Sequence, residues 1–168
     1  MGGGRFEPQA LYRIIAAGEE TQLPHPLPTA IREARETVAA TGDPQRGDFI
    51  LDRSGFAERR AIARASGNPF LTQYVRLMTD ITNLQVLFRL LRMGKGFVIL
   101  EEALFHGGSV DADTLLACTG SQDIVEVYQS GPLAEAAAVG VQGIADESLT
   151  AFEKACDDAM TQFLQQAI

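Results

Sequence analysis

Between Pro69 and Met93 the apolar residues recur at alternating steps of four and three: Phe70, Tyr74, Leu77, Ile81, Leu84, Phe88 and Leu91. At the helical turn angle these fall on one stripe about 100° wide. Leu71, Val75, Met78, Val86, Leu87 and Leu90 add apolar surface on other sides. The span therefore predicts one continuous helix at the centre of its domain, with Phe70, Tyr74, Leu77, Ile81, Leu84 and Phe88 mostly buried. The regular flanking charges of a two-stranded coiled coil are missing.

The punctuation elsewhere is helical too. Pro8 opens a run holding Leu11, Ile14 and Ile15 that Gly18 closes. Pro26 and Pro28 open a helix that stops at Thr41-Gly42. Asp43-Pro44 and Asn68-Pro69 each place a capping side chain before a proline at the first helical position. Gly67 ends the helix between them. Beyond Gly94 short helices are expected over Phe97–Leu104, Asp111–Cys118, Gln122–Tyr128 and Pro132–Val139. A longer one runs from Glu147 to Ala167, with Leu149, Phe152, Cys156, Met160, Phe163 and Leu164. No stretch alternates with period two, so the expected class is all-α.

Composition narrows the partners. Hydrophobic residues make up 46% of the 168, enough for a packed core. The net charge of −8 disfavours nucleic acid and anionic lipid, which select basic surfaces. The charge is also stepped: +3 over residues 1–100 and −11 over residues 101–168. Such a step suggests segments with different neighbours. No apolar run approaches a membrane span, so direct lipid insertion is not expected. Cys118 and Cys156 have no CxxC spacing and read as reduced, buried thiols.

Candidate chemistry is sparse. His25 and His106 lack a second ligand at metal spacing. Gly94-Lys95-Gly96 follows a helix and lacks the rest of a phosphate loop. No nucleophile–base set can be assembled, so no catalytic residue, cofactor or metal site is assigned. Asp48 and Asp52 share a helix face but are flanked by Arg46 and Arg53, as on a solvated face. The central helix is more specific. Arg76, Asp80 and Asn83 lie on one side, where charge must find partners if it is buried. This predicts a structural network: Arg76 paired with Asp80, Asn83 bonded to a neighbouring backbone, and Arg89 further along the helix.

An internal repeat is legible at a separation of about 104 residues. Gly3-Gly4-Arg5-Phe6-Glu7 and Leu11 match Gly107-Gly108-Ser109-Val110-Asp111 and Leu115. The acid pair Asp48/Asp52 corresponds to Glu153/Asp157, each in a helix entered after an aspartate, Asp43 and Asp146. The expected organisation is a complete repeat over 1–106 and a partial one over 107–168. The second stops before its own central helix, so the chain is expected to be part of a longer protein. Its apolar residues over Leu149–Leu164 should then be poorly covered, favouring a dimer of the fragment.

These motifs resemble a family. Leu23-Pro24-His25-Pro26-Leu27, Thr41-Gly42-Asp43-Pro44-Gln45 and Leu51-Asp52-Arg53 with Phe56 are similar to the middle domain of the C subunit (d in vacuoles) of V/A-type, vacuolar/archaeal-type, ATP synthases. So are Gly67-Asn68-Pro69-Phe70-Leu71, Val75-Arg76-Leu77 with Asp80 and Asn83, Leu87-Phe88-Arg89, and Arg92-Met93-Gly94-Lys95. Leu100-Glu101-Glu102-Ala103-Leu104 and Gly107-Gly108-Ser109 complete the series. The chain departs from the pattern at Gly55, where tyrosine is usual.

The resemblance implies a helical funnel of three similar domains around a pseudo-threefold axis. It implies a non-catalytic component that couples the central rotor shaft to the membrane rotor ring and transmits torque for proton or sodium transport. That places it in the cytoplasm, peripheral to the membrane. Loops between helices, including Arg92, Lys95 and His106, would form the partner interface. The competing reading is a free-standing helical enzyme or ligand-binding protein using the acids near Asp48, Asp52 and Asp80.

Overall fold

A computed structural model describes residues 6–94, 97–118 and 120–166. Among these residues every regular element is helical: nine α-helices and one 3-10 turn. The chain divides into two compact units, Met1–Glu58 and Arg59–Ile168, with the division inside the third helix.

The first unit holds α1 (Pro8–Ala17), the 3-10 turn Glu20–Gln22, α2 (Leu27–Thr41) and the start of α3 (Pro44–Ala65). The cap signals act as the sequence predicts. Gly18 and Gly42 end their helices in the left-handed region, and Asp43 Oδ1 accepts from Gln45 N at 3.0 Å. Leu23, Ala30, Ile31, Ala34 and Ile50 form a small core. Gly47 lies where α3 meets α2, since a Cβ there would sit 2.7 Å from Val38 Cγ2. Arg35 ties α2 back to the earlier chain: it pairs with Glu20 and donates to the Ile15 carbonyl. No residue of α1 is fully buried.

The second unit is built on α4 (Pro69–Arg92), followed by α5 (Phe97–Ala103), α6 (Ala112–Leu116), α7 (Ser121–Tyr128), α8 (Ala134–Ala145) and α9 (Thr150–Gln165). Asn68 Oδ1 caps α4 by accepting from Phe70 N at 2.9 Å. Helices α8 and α9 pack against each other and both pack on α4. Phe88 of α4 meets Phe152 of α9 edge-on, with ring centroids 4.9 Å apart, a favoured aromatic geometry. The α8 face that meets them is small: Ala136, Ala137, Gly140 and Gly143 are buried, and a Cβ on Gly140 would overlap the Phe88 ring.

Three expectations change here. Of the stripe on α4, Leu77, Leu84 and Phe88 are buried, but Phe70, Tyr74 and Ile81 are only half-buried. The fully buried side is shared with Thr79, Asp80 and Asn83, because a helix packed on several sides has no single apolar face. The apolar side of α9 is not left bare. Leu149, Phe152 and Cys156 are buried, and of that set only Leu164 is exposed. The exposed face on which the expected dimer rested is therefore covered by α4 and α8. Asp146 does not cap α9, which starts at Thr150; it ends α8 and accepts from Gln142 Nε2 at 3.1 Å.

Candidate functional site

The most distinctive constellation is polar and lies on the buried side of α4. Asp80 and Asn83, three residues apart, share one helix face, and both are almost fully inaccessible to solvent. Each captures backbone from the loop between α5 and α6. Asn83 Nδ2 donates to the Phe105 carbonyl at 2.9 Å, and Phe105 N donates back to Asn83 Oδ1 at 2.8 Å. Asp80 Oδ2 accepts from Ser109 N at 2.8 Å and from Ser109 Oγ at 2.5 Å, while Oδ1 accepts from Val110 N at 3.2 Å.

Two glycines let this loop approach. Gly107 has φ of 102°, a conformation L side chains rarely adopt. A Cβ on Gly108 would overlap the Asp80 carboxylate. The Gly107-Gly108-Ser109 sequence is thus the complement of Asp80, and it was the signal that could have located the partner from sequence. Arg60 Nη1 closes the other side of the loop by donating to the His106 carbonyl at 2.9 Å.

The helical spacing predicted a different partner for Asp80. Arg76 is exposed and makes no ion pair with it; a carboxylate already holding two backbone N–H groups and a hydroxyl needs no guanidinium. The predicted bond from Asn83 to a neighbouring backbone is present. Arg89 does not join this network. It sits on the exposed side of α4 and pairs with Glu153 of α9 at 3.0 Å. Arg92 is exposed, with Nη1 3.5 Å from the Glu147 carbonyl. His106 is exposed. Lys95 lies outside the described residues.

Sequence reasoning missed Tyr128. Its hydroxyl is buried and has no hydrogen-bond partner among the described residues. Burial, and then the charge of Asp80, push the phenol above its usual range. Of the acids invoked by the enzyme reading, Asp48 and Asp52 are exposed on α3, and Asp80 is taken up by the loop. Among the described residues no group of His, Cys, Asp or Glu is placed to hold a metal ion. No described helix is long and apolar enough to cross a membrane.

The arrangement holds a loop and a helix in register; its geometry is that of a clamp. The sequence pattern of the ATP synthase (C/AC39) subunit family matches residues 2–168. The chain belongs to that family. No curated protein sequence and no solved structure matches it. An ATP synthase subunit family is the one the sequence motifs resembled, and the buried Asp80 and Asn83 are among the residues that carried the resemblance.

Proposed function

We propose that this ATP synthase (C/AC39) family chain is a non-catalytic structural subunit that links the central rotor shaft to the membrane rotor ring and transmits torque for proton or sodium transport. The family match over residues 2–168 carries this reading. The Asp80–Asn83 clamp supports it physically. A part that transmits load must keep its loops in register with its helices, and buried charge-assisted hydrogen bonds to backbone do that in a low-dielectric interior.

In this reading the chain works at the cytoplasmic side, peripheral to the membrane through its partner subunits. The repeats over 1–106 and 107–168 correspond to two of the similar helical domains of the funnel. The contacts to shaft and ring come from the turns after α4 and after α5, with Arg92, Lys95 and His106. Asp80 and Asn83 act structurally by holding the loop, and Arg89 by its pair with Glu153.

The test is co-assembly and coupling. The tagged chain should co-purify with shaft and ring subunits of its own rotary complex, and failure to bind either would overturn the reading. Charge reversal at Arg92 and Lys95 in the assembled complex should weaken the coupling of ATP hydrolysis to ion pumping. Hydrolysis by the detached catalytic head should be unaffected. Unchanged coupling would exclude this surface alone, whereas loss of hydrolysis in the detached head would contradict the non-catalytic role.

A further inference from the structure

A positive cleft lies beside the clamp, in a chain whose acids outnumber its bases by 22 to 14. Arg60 and Arg64, one turn apart on α3, and Arg76 on α4 line one depression of about 40 Å³ together with Thr72 and Gly107. Arg60 is fixed in place by the His106 carbonyl and lies against Gly107. Arg64 and Arg76 are exposed, and among the described residues neither has a hydrogen-bond or carboxylate partner. Like charges a turn apart on a helix repel, and with so many acids available a neutralising neighbour would be easy to supply. Arg76 also borders a second, wider cleft, lined by Gln73, Gln162 and Gln166 together with the apolar Leu77, Pro132 and Phe163.

We propose that this cleft docks the carboxylate side chains of an acidic helical segment on a protein partner. A guanidinium bonds a carboxylate edge-on through two parallel N–H groups. Acids one turn apart on the partner's helix would match the one-turn spacing of Arg60 and Arg64. A phosphate ligand fits less well, because the polar groups nearby are already engaged. The Ser109 and Val110 N–H groups hold Asp80, and the Thr72 hydroxyl donates to the Asn68 carbonyl at 3.3 Å. Contacts of this kind act mainly on association rate and specificity and weaken with salt. The inference stands on the charge geometry and does not depend on the rotary reading.

Fluorescence anisotropy on the full chain tests it, with a fluorescein-labelled helical peptide carrying glutamates four residues apart and a matched peptide carrying glutamines. The glutamate peptide should bind, more weakly as salt rises, and the glutamine peptide roughly tenfold less tightly or worse. The double variant Arg64→Gln/Arg76→Gln should lose about tenfold in affinity or more. Arg32→Gln/Arg53→Gln, which removes the same two charges from exposed positions in the first unit, should bind as the unaltered chain does. No binding of the glutamate peptide, equal binding of the glutamine peptide, or an equal loss in both double variants would overturn the proposal. Displacement of the peptide by an equal concentration of orthophosphate would also overturn it, in favour of a phosphate site.

Discussion

Gly108 lies so close to the carboxylate of Asp80 that a Cβ would overlap Oδ1. The contact makes the glycine and the acid one unit, and it predicts that either change opens the loop. Gly108→Ala should drive the loop off Asp80 and cost about 1–3 kcal/mol, the range for overpacking and for unsatisfied buried donors. Asp80→Asn should cost a similar amount, because an amide nitrogen cannot accept from Ser109 or Val110. Urea unfolding midpoints measure both. A Gly108→Ala protein as stable as the unaltered chain would mean that the loop has freedom the geometry denies.

Helix limits were largely legible because local chemistry sets them. Asn68-Pro69 and Asp43-Pro44 start helices wherever the surroundings allow, and both do so here. Partners across sequence were less legible. An Arg76–Asp80 pair is what four-residue spacing offers, but Asp80 is satisfied by a loop 29 residues away. Spacing within one helix cannot rank a neighbour against a distant backbone. The same limit explains Ile81 and Tyr74. Periodicity finds apolar positions, but only the packing of α8 and α9 decides which side of α4 is fully enclosed. Asn83 was placed correctly because a buried amide on a central helix has few alternatives to a nearby backbone.

This distinction predicts unequal costs along the stripe. Leu84 is 0% exposed and should lose about 2–5 kcal/mol on replacement by alanine, as deeply packed leucines do. Ile81 is half-buried and should lose clearly less, since part of its surface already meets water. Chemical denaturation of the two single variants decides the order. Equal losses would place Ile81 in the core after all.

The turn between α8 and α9 holds a correctable strain. Glu147 has φ of 55°, and it is the one non-glycine residue with positive φ among those described. Its neighbours complete a helix-ending motif: Ser148 N donates to the Gly143 carbonyl at 3.0 Å and Glu147 N to the Ile144 carbonyl at 3.4 Å. Glycine is the usual occupant of that left-handed position. Glu147→Gly should therefore stabilise the protein by about 1 kcal/mol, the cost that left-handed backbone imposes on an L side chain. A raised melting temperature checks this; a lowered one would show that the Glu147 side chain contributes more than its backbone costs.

Cys156 sets the protein's behaviour in alkali. Its thiol is 0% exposed inside the α4–α8–α9 packing. Burial, followed by the charges of Asp157 and Glu153, pushes it up from 9.0 to about 12. Cys118 moves in the same direction through burial and Asp123. The folded state therefore holds the Cys156 proton more tightly than the unfolded chain does. Linkage then gives a stability contribution that is fully present below pH about 9 and is lost as pH rises towards about 12. Urea midpoints should be insensitive to this group at neutral pH and should decline through that alkaline window. Cys156→Ala should flatten part of the decline. Tyr128→Phe should flatten another part, since its raised phenol acts with the same sign. Only a thiolate attacks an alkylating reagent, so at pH 8 iodoacetamide should label Cys156 only as fast as the packing opens. Labelling of the folded protein at the rate of a free thiol, together with an unchanged alkaline slope in Cys156→Ala, would show that burial does not control this residue.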